Sequence, residues 1–141
     1  MPPSAGLESA ASDLRIVLGQ LLRKLRSENA LPISHIAVLS RLDRSGAQTT
    51  SGLAAGERMR PQSMAQTVAD LQSEGYVARR ADPSDGRQML VELTRRGREL
   101  LARERRRRED WLSTAIADEL TPAEQRVLVR AIDLLRRLAE L

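Results

Sequence analysis

The stretch from Pro61 to Gly97 constrains this chain's fold more tightly than any other. Pro61 suits the first position of a helix, where a missing N–H costs nothing, and Gly75 suits the left-handed residue that closes one. Between them Met64, Val68 and Leu71 share a face, while Gln62, Gln66, Ala69, Asp70 and Ser73 lie opposite, with Ser63 on the flank. Two strands follow, Tyr76 to Arg80 and Gln88 to Thr94. In the second, Met89, Val91 and Leu93 alternate with Leu90 and Glu92, the pattern of a half-buried strand. Asp82-Pro83-Ser84-Asp85-Gly86 between them is dense in turn formers, so the strands read as a hairpin with Arg87 at its tip. Thr94 caps a long helix of about residues 95 to 117.

The flanking regions read as helices. Leu7, Leu14, Val17, Leu18, Leu21, Leu22 and Leu25 repeat at three- and four-residue spacing, predicting one amphipathic helix over roughly 7 to 28. Pro32 breaks it. Ser34 is placed to cap a second helix carrying Ile36, Leu39 and Leu42, which stops at Ser45-Gly46. Thr50 or Ser51 can cap a short third helix through Leu53 and Ala54. Its Gly52 and Gly56 make it weak alone, so packing must hold it. Thr121-Pro122-Ala123-Glu124 is a capping box, opening a last helix with Val127, Leu128, Ala131, Ile132, Leu135 and Leu138.

The order is four helices, a two-stranded hairpin and two more helices, without internal repeats. This predicts a mainly α fold with a small β-hairpin wing, a winged helix-turn-helix. The third and fourth helices form the pair across Glu57-Arg58-Met59-Arg60, and the fourth enters the DNA major groove. Arg87 on the wing is placed for the narrow, electronegative minor groove. Asp85 can pair with Arg87 and hold its guanidinium; the alternative reading is a turn with an exposed arginine.

Composition removes rival chemistries. The 141 residues suit one domain, and 41% apolar with 30% charged residues suits a soluble globular chain. There is no cysteine, so disulfides and thiol chemistry are out. The single histidine, His35, cannot build a nitrogen-rich metal site, and no glycine-rich phosphate loop or catalytic carboxylate pair is present. No enzyme, cofactor or metal is expected. Trp111 and Tyr76 are the only aromatics, which disfavours single-strand recognition by base stacking. Net charge is +4, and all but Lys24 of the 23 basic residues are arginine. That excess suits phosphates and base edges, though GC-rich coding would give the same bias. The N-terminus lacks the basic and apolar regions of a signal peptide, and no apolar run reaches membrane-spanning length, so a cytoplasmic location is expected.

Leu53-Ala54, then Leu71-Gln72-Ser73-Glu74-Gly75-Tyr76-Val77 with Arg79, then Asp82, Asp85 and Arg87, then Leu93-Thr94 with Gly97, resemble in order and spacing the multiple antibiotic resistance regulator (MarR) family. The resemblance covers essentially the whole chain. The family's wing commonly reads Asp-x-Arg-Asp-x-Arg. Here Ser84 replaces the first arginine, and Arg60 stands where many relatives carry a small capping residue. The resemblance implies a homodimer whose first, fifth and sixth helices interlock, each subunit presenting one recognition helix to a pseudo-palindromic operator. Leucine surplus at both ends, including Leu7, Leu14, Leu18, Leu21, Leu128, Leu135 and Leu138, suits such an interface. The parts are then residues 1–30, a dimerisation helix; 31–97, the winged lobe; and 98–141, a linker helix and C-terminal dimerisation helix, within one domain overall.

In that picture Gln62, Ser63 and Gln66 face base edges, with a solvated face as the bland alternative. Arg58 and Arg60 flank Pro61 near phosphates. Thr50 and Ser51 bring a helix N-terminus and hydroxyls to the backbone. Arg79 and Arg80 continue along the wing, although Arg79 can equally be an ion-pair residue at the hairpin base. In the run Arg103 to Arg108, the spacings Glu99–Arg103, Glu104–Arg108, Arg105–Glu109 and Arg106–Asp110 favour a self-paired solvated face over a nucleic-acid patch. His35 and Trp111 are candidates for an effector cavity, with core or interface packing as the alternative. The expected function is sequence-specific binding of double-stranded DNA as a transcriptional repressor released by a small-molecule effector. The rival is a helical protein-interaction module that docks a partner through the terminal leucine faces.

Overall fold

The computed structural model describes residues 1–27 and 29–141. Its elements are α1 (Ala5–Ser27), α2 (Ile33–Ser45), β1 (Gln48–Thr49), α3 (Thr50–Glu57), α4 (Pro61–Ser73), β2 (Val77–Ala81), β3 (Met89–Leu93), α5 (Arg95–Glu119) and α6 (Pro122–Ala139). The expected end of the first helix at 28 lies outside the described residues. The chain forms two compact units, Met1–Arg105 and Arg106–Leu141.

In the first unit a core of Val38, Leu39, Leu42, Leu53, Ala54, Met64, Val68, Leu71, Val77, Val91, Leu93, Leu100 and Leu101 joins α2, α3, α4, the sheet and the start of α5. Leu39, Leu53, Met64, Val68 and Val91 are fully buried. Burying a side chain of this kind is worth about 1.5–3 kcal/mol each. That burial holds α3, which carries Gly52 and Gly56 and which local propensity alone would leave frayed.

Two helix caps and the strand count depart from expectation. Pro32, not Ser34, is the residue before α2, and its cap carries no side-chain hydrogen bond; the Ser34 hydroxyl instead lies 3.3 Å from His35 Nδ1. Thr49, rather than Thr50 or Ser51, caps α3: its Oγ1 accepts from the Gly52 N–H at 3.0 Å. The sheet has three antiparallel strands in the order β1-β3-β2, not two, because Gln48 and Thr49 pair with Val91 and Leu90. Covered by β1, Leu90 is half-buried instead of solvated.

The close of α4 follows the expected chemistry in detail. Gly75 adopts φ +80°, its N–H donates to the Gln72 carbonyl at 3.0 Å, and the Tyr76 N–H donates to Leu71 at 2.9 Å. This is the Schellman arrangement, and it turns the chain directly into β2.

In the second unit Thr121 caps α6 with the reciprocal bonds of a capping box. Glu124 N–H donates to Thr121 Oγ1 at 3.2 Å, and Thr121 N–H donates to Glu124 Oε1 at 2.9 Å. That Thr121 N–H, more than any other contact, holds the Glu124 carboxyl below the usual glutamate range. Among the described residues, no helix is long and apolar enough to cross a membrane.

Candidate nucleic-acid interface

The turn between α3 and α4 is set by backbone chemistry. Arg58 ends α3 in the left-handed conformation, φ 54° and ψ 42°, and its N–H bonds back to the Ala55 carbonyl. Arginine is not favoured there, so the surrounding fold must impose it. Half-buried Met59 packs against the core and fixes the turn, leaving Arg58 and Arg60 exposed on either side. Arg60 precedes α4 without any side-chain cap bond, and Pro61 supplies the first helical residue. Two exposed arginines thus stand just ahead of a helix N-terminus whose first N–H groups lack intrahelical partners, an arrangement suited to anions.

On α4 the inner face is Met64, Thr67, Val68 and Leu71, all buried. Gln62, Ser63 and Gln66 are exposed, so the expected outer set shares one accessible surface over the first turns. Gln66 is not free to rotate: its Nε2 donates to Asp70 Oδ1 at 2.8 Å. The other oxygen of Asp70 lies 3.5 Å from His35 Nε2 on α2. No signal in sequence spacing linked His35 to α4; only the Gln66–Asp70 spacing of four was available.

At the start of α3, Thr50 is half-buried and Ser51 exposed, with Ser51 Oγ 3.2 Å from Thr49 Oγ1. A second contact steadies the end of the same helix. Arg41 of α2 donates from Nε to Glu57 Oε1 at 2.6 Å and from a terminal nitrogen to the Gly56 carbonyl at 2.7 Å.

The wing closes through its backbone. Asp82 N–H donates to the Gln88 carbonyl at 2.9 Å, and Gln88 N–H donates to the Asp85 carbonyl at 3.0 Å. Asp82 Oδ1 accepts from both the Ser84 hydroxyl, at 2.7 Å, and the Ser84 N–H, at 2.9 Å. The hydroxyl bond, followed by the N–H bond, lowers the Asp82 carboxyl below the ordinary aspartate range. Ser84, which takes the place of a basic wing residue, therefore shapes the loop. Asp85 engages Arg87 otherwise than expected: its Oδ1 accepts from the Arg87 backbone N–H at 3.1 Å, so it orders the tip's backbone and not the guanidinium. Arg87 is exposed. The ion pair at the hairpin falls on Arg80, whose Nε sits 2.7 Å from Glu92 Oε2, while Arg79 is exposed.

The charged helix α5 also departs from the expected pairing. Glu99 is 3.2 Å from Arg95, one turn back, rather than with Arg103. Glu104, expected on a solvated face, is 1% exposed and accepts from the Ala30 N–H at 3.2 Å. The signal was present: Glu104 continues the stripe Gly97, Leu100, Leu101 at helical spacing, and all four are buried.

His35 belongs to the first unit and half-buried Trp111 to the second. The apolar surplus at the termini is exposed or half-buried. On α1, Leu7 is 62% exposed, with Leu18 and Leu21 also open and Leu14 half-buried; on α6, Leu138 is 59% exposed, with Leu128 and Leu135 half-buried.

Comparison with known proteins fits this geometry. The model of the MarR family matches residues 31–89, from just before α2 to the first residue of β3. The uncharacterized HTH-type transcriptional regulator Mb0904 of Mycobacterium bovis is 38% identical over 133 residues, 92% of each chain. The chain belongs to the MarR family. Members of this kind are transcriptional regulators, not enzymes. A crystal structure from Pseudomonas aeruginosa PA01, described as that of a transcriptional regulator, aligns with TM-score 0.81 and 36% identity over 99% of both chains. S. aureus MepR, solved as a variant bound to an oligodeoxyribonucleotide, shares the MarR fold at TM-score 0.70 and 15% identity, over 93% of this chain and 96% of that one.

Proposed function

We propose that this chain is a sequence-specific double-stranded DNA-binding regulator that acts as a homodimer, each subunit laying α4 in a major groove and the wing beside it. The observation that carries the reading is the first two turns of α4. Gln62, Ser63 and Gln66 are exposed, uncharged and hydrogen-bond capable, and Arg58 and Arg60 immediately precede the helix start. Polar, uncharged groups read base edges, and arginines at the margin take phosphates. The oligonucleotide carried by MepR, a protein of the same fold, supports DNA as the partner.

Residues 31–97 supply the reading lobe, with Thr50, Ser51 and Arg79 on the DNA backbone and Arg87 in the minor groove. Arg80 reaches a phosphate only by sharing its guanidinium with Glu92. Residues 1–30 and 98–141 supply the pairing surface, through Leu7, Leu14, Leu18, Leu21, Leu128, Leu135 and Leu138. Two-fold pairing sets half-sites about 34–36 Å apart. Bound over a promoter, the dimer represses. A small molecule that binds better to a pair whose recognition helices no longer match that spacing releases it, since a ligand shifts an equilibrium only by its differential affinity.

The test is an anisotropy titration with duplex from the region upstream of the chain's own gene. Tight, selective binding that weakens steeply with salt is expected. Weak binding indifferent to sequence would favour a protein-interaction module instead.

A further inference from the structure

The Gln66 side chain, which the proposed function sets against DNA bases, is held by a second residue on the same helix. Its Nε2 donates to Asp70 Oδ1 at 2.8 Å. Asp70 is restrained in turn from α2: its Oδ2 lies 3.5 Å from His35 Nε2. The Ser34 hydroxyl stands 3.3 Å from His35 Nδ1, where it can donate and leave the ring proton on Nε2, facing the carboxylate. His35 has only 17% of its side chain exposed, so this anchor sits against the body of the lobe.

A carboxylate on a DNA-facing helix is electrostatically unfavourable, because it repels phosphates. What it offers is direction. A glutamine amide has an acceptor at one end and donors at the other, and a free one can rotate to offer either. An ionised carboxylate accepts only, so Asp70 fixes which end of Gln66 turns toward it. The nitrogen is retained, and Oε1 with the remaining N–H is presented outward in a fixed order. Adenine offers a matching edge, an N6 donor beside an N7 acceptor, and cytosine offers an N4 donor. Guanine offers two acceptors, O6 and N7, which a fixed Oε1 opposes.

Resting on the DNA-reading role of α4, we propose that Asp70, steadied by His35, is a specificity-determining residue that locks the Gln66 amide to read an amino-bearing base and reject guanine. Asp70 is a positioning residue: it acts on DNA through Gln66.

The test is a binding-selection experiment on randomised duplex with the full chain and its Asp70→Ala, Asp70→Asn, Gln66→Ala and double Asp70→Ala/Gln66→Ala variants. Each variant is first checked by thermal unfolding and by retained binding to non-specific duplex. The wild type should prefer adenine or cytosine over guanine at one position in each half-site. D70A should lower that preference by roughly tenfold, the size of a good amide–base contact, while overall DNA affinity holds or rises as a negative charge is removed. D70N, whose own amide can flip, should fall between. Q66A should abolish the preference, and adding D70A to it should change nothing more. A D70A profile identical to the wild type, with only a uniform change of affinity, would overturn the proposal while leaving the DNA-reading role intact. A wild type with no sequence preference would defeat the DNA-reading role itself, and this inference with it.

Discussion

Thr94 Oγ1 donates to the Gly75 carbonyl at 2.6 Å and accepts from the Gly97 N–H at 3.1 Å. One hydroxyl therefore fastens the end of α4 to the beginning of α5, while the Thr94 N–H donates to the Tyr76 carbonyl at 3.1 Å. Removing the hydroxyl at constant shape should loosen the placement of α4. Thr94→Val is expected to destabilise the chain by about 1–2 kcal/mol, from a lost cap and an unsatisfied partner. Thr94→Ser should retain most of the stability. Urea unfolding of the two variants distinguishes them; equal midpoints would contradict the assignment.

Gly97 sits against the same joint. A methyl group there would collide with the Tyr76 carbonyl oxygen and stand 2.6 Å from Leu93 Cδ1. Backbone cannot swing aside as a flexible side chain can. Gly97→Ala should therefore cost about 1–3 kcal/mol through overpacking, read as a lowered Tm.

Arg58 separates stability from binding. It holds a left-handed backbone conformation at φ 54°, which glycine adopts without the steric cost. Arg58→Gly should stabilise the folded chain by roughly 0.5–1 kcal/mol, the strain relieved less the added chain entropy. The same change removes a basic group beside the α4 N-terminus, so DNA affinity should fall and its salt dependence flatten by about one phosphate contact. A variant that is both less stable and equally tight on DNA would contradict this account.

How much of this was legible in the chain can be read from single residues. Pro61, Gly75, Thr94 and Thr121 announced their helix ends because capping is local chemistry, decided within a few residues. Strand β1 was not legible. Gln48-Thr49 is two residues long and exists only because Val91 and Leu90, over forty positions away, pair with it. The cap of α3 slipped to Thr49 because Thr49, Thr50 and Ser51 all bear a suitable hydroxyl, and the incoming strand decides among them. Glu104 was misread because charge spacing along α5 was weighed above its place on the apolar stripe. The restraint on Gln66 was half legible: the partner Asp70 stood four residues on, but His35 arrives through the packing of α2 against α4.

The wing loop makes a prediction about pH. Asp82 has its carboxyl lowered by the Ser84 hydroxyl and N–H. A depressed folded-state value adds stability above the unfolded value, and that stability is lost as pH falls through the folded one. The loop should thus hold its shape at neutral pH and loosen only in acid below the ordinary aspartate range. In Ser84→Ala the midpoint of the Asp82 carboxyl, followed by carbon-detected NMR, should move upward. An unchanged midpoint would mean that Ser84 does not hold the loop.

Arg87 tests the wing. Its guanidinium is exposed while Asp85 fixes the backbone beneath it. Arg87→Ala should weaken operator binding about tenfold, most strongly for sites with a narrow minor groove, and leave the subunit assembly unchanged by ultracentrifugation. Loss of assembly would place the residue in the wrong role.

The central claim is that two copies of α4 read successive grooves on one face of a duplex. Hydroxyl-radical footprinting on a selected operator addresses it most directly. Two protected patches per strand, centred about one helical turn apart (about 10–10.5 base pairs), are predicted. A single patch, or uniform protection along the duplex, would contradict it.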